Sequence, residues 1–211
     1  MSPALLETPD IKSLRGSPVR PPGETQPYEQ FGNVHARNDL QACVEIPLML
    51  RALRLPRGGR ILEIGCGRGV ALPVLSERLA PSSLTGIDID VTLLDQAELR
   101  MRAAGVRATL VEADVRALPF EASSFDLIID FGTCYHVSGG RSGSRDALGE
   151  IARVLRTNGL FVHETPVAQH LAHPVRSFGR SLPWQSCPSL SPERAALLWA
   201  MRRKRARWER S

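Results

Sequence analysis

Four short segments combine acidic side chains or glycines in ways that suit a polar ligand. The first, Glu63-Ile64-Gly65-Cys66-Gly67-Arg68-Gly69, places three glycines at alternate positions. Such glycines let a backbone turn tightly, approach a ligand closely and present amides at a helix N-terminus, which favours a carboxylate or phosphate. The dinucleotide pattern Gly-x-Gly-x-x-Gly is not met, because position 70 is Val. Asp88 follows 23 residues beyond Gly65, where a carboxylate can accept two hydrogen bonds from a ribose diol. A helix N-cap is its other reading, yet Asp90 is better placed for that role. In Glu112-Ala113-Asp114-Val115, Asp114 could accept from an exocyclic adenine amine and Val115 could offer an amide to the ring; a solvated loop acid is the alternative. The fourth segment, Asp130-Phe131-Gly132-Thr133-Cys134-Tyr135-His136, holds an imidazole suited to proton transfer and a phenol that could orient or stack on a reactant. Lining a loop is the plain alternative for both.

Other reactive side chains fit simpler roles. His163, His170 and His173 lack a zinc-ligand spacing and have no neighbouring cysteine, so no metal is expected. His163 and Glu164 could border the same ligand space. Cys43, Cys66, Cys134 and Cys187 are scattered without a Cys-x-x-Cys pair, which argues against a disulfide framework and for four small buried hydrophobes.

Alternating elements must position these segments. The apolar run Arg60–Ile64 is a strand, followed by the glycine loop and a helix to about Leu79. Leu84–Asp88, Val106–Val111, Phe125–Ile129 and Leu160–His163 supply four more strands. A helix capped by Asp90 presents Leu94, Ala97, Met101 and Ala104 and stops at Gly105. Another, with Ser144 as its cap, presents Leu148, Ile151, Ala152 and Leu155 and stops at Asn158-Gly159. A first helix over Asp39–Leu53 contains Pro47, which should kink it or mark its true start. Apolar strands alternating with amphipathic helices predict an α/β, doubly wound, Rossmann-like and mostly parallel sheet with helices on both faces. In such sheets ligands sit beyond the carboxyl ends of the strands, where all four segments fall.

The 211 residues, 43% apolar and 23% charged, suit one globular domain with terminal extensions. Residues 1–27 contain six prolines and are expected to be a flexible arm. Residues 28–175 are expected to form the domain with an N-terminal lid helix; Tyr28, Phe31, His35 and Arg37 could form a lid over the ligand space, packing of the arm being the alternative. Residues 176–211 are expected to be an irregular segment followed by a basic helix from Ser191. The net charge of +5 is a tail feature, since residues 191–211 carry seven basic and two acidic side chains while the remainder balances at 20 of each. Nucleic acid is therefore not an expected partner. No apolar run approaches the length of a membrane span and the N-terminus has no secretory pattern, so the expected location is cytoplasmic.

Taken in order, the segments resemble the class I S-adenosylmethionine-dependent methyltransferases, particularly the small-molecule branch that includes the quinone-biosynthesis C-methyltransferases. The resemblance covers about residues 60–165. It rests on Leu62–Gly69, Gly86-Ile87-Asp88, Asp114-Val115 with Leu118-Pro119-Phe120, Ser124–Ile129 and Glu150–Leu160. It implies S-adenosyl-L-methionine as cofactor, with Glu63 and the backbone of Gly65, Cys66 and Gly67 holding its amino-acid moiety. Asp88, with Ile89 beside it, would bind the ribose, and Asp114 and Val115 the adenine. Asp130 and Phe131 would pass beside the sulfonium, and His136 and Tyr135 would face a small-molecule acceptor methylated by in-line displacement. The chain departs from the family at Thr157-Asn158-Gly159, where members often carry Pro-Gly-Gly, and after Pro166, where no sixth or seventh strand is visible. The second departure motivates an alternative: a cofactor-binding but catalytically degenerate binding or regulatory protein.

Overall fold

A computed structural model describes residues 34–164, 184–186 and 199–204. Seven strands form one sheet in the order β3-β2-β1-β4-β5-β7-β6. They are β1 (Arg60–Ile64), β2 (Ser83–Asp88), β3 (Thr109–Glu112), β4 (Phe125–Asp130), β5 (Leu155–Glu164), β6 (Trp184–Ser186) and β7 (Trp199–Lys204). The first five are parallel, while β7 runs antiparallel to both β5 and β6. The helices are α1 (Val34–Leu40), α2 (Ile46–Leu53), α3 (Ala71–Leu79), α4 (Val91–Ala104) and α5 (Gly140–Val154).

The centre of the sheet is sealed on both sides. Ile61, Leu62 and Ile64 of β1 have no exposed surface, and burying each contributes roughly 1.5–3 kcal/mol. Ile61 joins Ile46, Met49, Leu72 and Leu75 of α2 and α3, whereas Leu62 and Ile64 join Ala147, Leu148 and Ile151 of α5. A strand without polar alternation is therefore what a doubly covered sheet requires.

Two sequence expectations fail at the C-terminus. Sixth and seventh strands exist, and Trp199–Lys204 is β7 rather than part of a basic helix. Ala, Leu, Met, Arg and Lys favour a helix locally. Pairing with the otherwise open edge of β5, from Glu164↔Trp199 to Leu160↔Arg203, overrides that preference. The bounds of the 1–27 arm, Tyr28, Phe31, His170, His173 and Cys187 lie outside the described residues.

Smaller differences have local causes. The first helix starts earlier than Asp39 and is broken into α1, a π-helical turn over Gln41–Glu45, and α2. Pro47 lies in the first turn of α2; it lacks an N–H and its ring crowds the preceding turn. The ladder slips accordingly, with the Ile46 amide donating to the Gln41 carbonyl. Helix α5 begins at Gly140, so Ser144 is a buried residue within it and not its cap. Leu155 already belongs to β5. Between Phe125↔Leu155 and Leu127↔Leu160 the register jumps, residues 156–159 bulge, and Asn158 takes a left-handed φ of 62°. In α4 Asp90 caps as expected, accepting from the Thr92 amide at 2.9 Å, but Leu93 is buried where Ala104 was expected. Cys66 and Cys134 are buried, whereas Cys43 is exposed, against expectation, because it lies on the outer side of the π-helical turn.

Candidate cofactor and acceptor site

Strand register brings the predicted segments to one edge. Ile64 lies beside Ile87 and Asp130, Asp88 beside Glu112, and Asp130 beside His163. Glu63, Asp88, Asp130 and the loop carrying Asp114 thus gather at the carboxyl ends of four adjacent strands.

The glycine loop shows why each glycine is needed. Gly65, Gly67 and Gly69 have φ values of 62°, 51° and 69°, a region costly to other residues. A Cβ at Gly65 would lie 1.8 Å from Thr133 Oγ1, and one at Gly69 2.9 Å from Ala97 Cβ. At Gly67 a Cβ would meet nothing within 4 Å, so the loop is open there for a ligand. The Cys66 amide donates to the Ile87 carbonyl at 2.8 Å, and its thiol, raised by burial and then by the Glu63 and Asp88 charges, stays protonated.

Asp88 is tied to this loop. Its Oδ2 accepts from the Gly67 amide at 2.8 Å and its Oδ1 from the Asp90 amide at 3.0 Å. Burial raises its pKa, and the amide bonds from Asp90 and Gly67 oppose the rise. Ile89 is exposed at the rim beside it.

Glu63 is 3% exposed, and its Oε2 is the one buried side-chain oxygen among the described residues that has no hydrogen-bond partner. Its pKa is raised well above the usual carboxylate value by burial, then by the charges of Asp88 and Asp130. Asp130, fully buried, is pushed up to about 6 by burial despite accepting from Thr133 and Cys134 amides at 2.6 and 3.3 Å. Burial raises all three carboxyls, and the Asp88 and Asp130 charges add to the rise at Glu63, so a cation placed beside Glu63 would be stabilised.

Beyond β3, Asp114 is gripped by Arg116, whose Nε lies 3.0 and 2.9 Å from its two oxygens. Burial alone would raise the Asp114 carboxyl, but these bonds and the Arg116 charge hold it below its ordinary value. Val115 is buried in the core. The Leu118-Pro119-Phe120 stretch is anchored from α5: Glu150 accepts from the Leu118 amide at 2.9 Å, and Arg153 donates to the Phe120 and Leu118 carbonyls at 2.7 and 2.9 Å. Phe120 packs edge-on against Phe125 with ring centres 5.0 Å apart. The Glu150 and Arg153 motif therefore holds the loop that carries Asp114 and is not itself at the ligand edge.

After β4, Phe131 is buried and a 3-10 turn spans Thr133–Tyr135. His136 closes that turn, its amide donating to the Thr133 carbonyl at 2.9 Å. The ring is exposed, and partial desolvation holds its pKa below the usual imidazole value, leaving it neutral and proton-accepting at pH 7. His163 is buried and stacks on Phe161 with ring centres 5.4 Å apart, on the sheet face that α5 covers. His35 is exposed on α1. Thr133 and Arg116 carry contacts that sequence reasoning missed. Their partners lie 69 and 22 residues away, at Ile64 and Ser138, so no local pattern signals them.

Residues 61–159 match a family described as a methyltransferase domain. Over 106 residues, 49% of the chain, it is 33% identical to phthiotriol/phenolphthiotriol dimycocerosates methyltransferase of Mycobacterium tuberculosis, covering 36% of that protein. Over 118 residues, 55% of the chain, it is 34% identical to phosphatidylethanolamine N-methyltransferase of Cereibacter sphaeroides, covering 53% of it. The chain thus spans about a third to a half of these curated relatives. Among solved structures it is similar to a Methanococcus maripaludis protein provisionally described as an S-adenosyl-L-methionine-dependent methyltransferase. That likeness has a TM-score of 0.58 at 16% identity and covers 82% of this chain and 92% of the other, which shows the fold. Among the described residues no helix is long and apolar enough to cross a membrane. Residues 61–159 are thus similar to a methyltransferase domain in sequence, and the strand order, glycine loop and acidic strand ends give the chain the open, mostly parallel Rossmann-like fold of the solved structure it resembles.

Proposed function

We propose that the chain transfers a methyl group from S-adenosyl-L-methionine to a small-molecule acceptor. The observation that carries this reading is Glu63 Oε2, a buried and unpartnered carboxylate oxygen beside the glycine loop. An ammonium group is the partner that satisfies it, and it would also offset the Asp88 and Asp130 charges that Glu63 feels. The open side of Gly67 leaves room for the amino-acid moiety. Asp88, already aligned by the Gly67 and Asp90 amides, keeps lone pairs for ribose hydroxyls. Asp114 and Val115 would take the adenine, with the Arg116 grip fixing the Asp114 carboxylate in place. Ile89 would cover the open side.

When bound, S-adenosylmethionine supplies a methyl carbon already activated for in-line displacement. The chain's part is then orientation and exclusion of water. Where the acceptor atom must lose a proton, neutral His136 can take it, with Tyr135 on the same turn as the second acceptor-side candidate. The two curated relatives named above act, by their names, on lipids, which supports an acceptor with a lipid-like part. The degenerate-binder alternative was motivated by missing edge strands. That motive is gone, because β6 and β7 complete the sheet.

Calorimetric titration with S-adenosylmethionine and S-adenosylhomocysteine tests the reading. Glu63→Gln keeps the shape without the charge, and Asp88→Ala removes the ribose acceptor. Each should weaken binding at least about tenfold, the scale of a lost charge-assisted hydrogen bond. Unchanged affinity in both variants, or no saturable binding by the intact chain, would refute it.

A further inference from the structure

Two hydrogen-bonded ties run from the elements that face the cofactor to opposite ends of the acceptor-side segment 131–139. At the first end, Thr133 Oγ1 donates to the Ile64 carbonyl at 3.1 Å. The same side chain fills the space a Gly65 Cβ would need, at 1.8 Å, so the turn rests directly on the glycine loop. Thr133 is also held by its own amide on Asp130 and by the His136 amide on its carbonyl. At the second end, Arg116 bonds both oxygens of Asp114 and extends Nη1 to Ser138 Oγ at 3.1 Å. Beyond it, a Cβ at Gly143 would lie 2.0 Å from the Ser138 carbonyl, so that end sits hard against the first turns of α5.

The segment between the ties carries Cys134, Tyr135 and His136. A ligand that settles the glycine loop fixes the Ile64 carbonyl, and one that engages Asp114 fixes the carboxylate that Arg116 holds. Each event removes freedom from one end of the segment. We propose that Thr133 and Arg116 are positioning residues that transmit occupancy of the cofactor site to the acceptor-side turn, so that cofactor binds before acceptor. The order of binding rests on the cofactor reading above; the ties themselves do not.

Amide exchange at Cys134 and His136 reads the coupling without knowledge of the acceptor. In the intact chain, saturating S-adenosylhomocysteine should slow both amides about tenfold, the size of one firmed hydrogen bond. Thr133→Val should still bind S-adenosylhomocysteine and keep protection at residues 66–69, but lose the slowing at Cys134 and His136. Thr133→Ser, which retains the hydroxyl, should restore it. Arg116→Gln, a second variant remote from the β1 core, should lose the slowing at His136 alone. Slowing that persists in Thr133→Val, or bound ligand that leaves both amides of the intact chain unchanged, would overturn the proposal. The ligand-free chains supply an arm independent of the cofactor. Exchange at Cys134 and His136 should be about tenfold faster in Thr133→Val than in Thr133→Ser, and equal rates would overturn the tie. Failure of the intact chain to bind S-adenosylhomocysteine would instead sink the cofactor reading and the binding order with it.

Discussion

Replacing Asp130 by asparagine should remove a specific part of the pH dependence of folding. Asp130 has no exposed surface, and burial raises its pKa from 3.8 to about 6 in spite of bonds from Cys134, Thr133 and Gly132. The folded chain therefore holds this proton more tightly than the unfolded chain does. The resulting stabilisation is fully present below the unfolded value near 4 and is lost as pH rises through about 6. A rise of about two units corresponds to ~3 kcal/mol, of which ~2 kcal/mol falls between pH 4.5 and 7.5. Glu63 acts in the same direction, since burial and then the charges of Asp88 and Asp130 raise it too. Removing the Asp130 charge lowers that contribution as well and enlarges the difference. Urea unfolding of both chains at pH 4.5, 5.5, 6.5 and 7.5 measures the effect. The asparagine amide, facing the Thr133 and Cys134 N–H groups, imposes an offset that does not change with pH. Wild type should lose about 2 kcal/mol more than Asp130→Asn across the range. Parallel stability profiles would refute the reasoning, because they would show that the carboxyl is not held protonated by its surroundings.

Arg153→Ala should destabilise the fold by about 2 kcal/mol and speed amide exchange over residues 116–124, because the guanidinium carries the Leu118 and Phe120 carbonyls together. Arg153→Lys should recover little, since one ammonium cannot span both acceptors while pairing with Glu150. Once an acceptor that must lose a proton is in hand, His136→Ala should cut turnover about 100-fold with cofactor affinity unchanged. Full turnover in that variant would remove His136 from the chemistry.

The sequence was most informative where one residue's role is decided by its own backbone. Three glycines at alternate positions signalled a tight backbone turn, which the structure makes with left-handed φ at all three, and Asp90 before an amphipathic run signalled a cap. The apolar run of β1 announced a doubly covered strand, because burial on both faces leaves no room for polar alternation. Those local rules sufficed for the parallel half of the sheet and for the acidic strand ends.

What only the tertiary structure decided depends on partners distant in the chain. Trp199–Lys204 reads as a helix by propensity and becomes a strand because β5 offers an unpaired edge. Glu63 and Asp130 are ordinary carboxylates in sequence; burial raises both, and at Glu63 the Asp88 and Asp130 charges add to it. Gly65 is explained in full only by Thr133, 68 positions later, which occupies the volume its missing side chain leaves. Desolvation and steric exclusion are properties of the assembled volume, so no pattern along the chain encodes them.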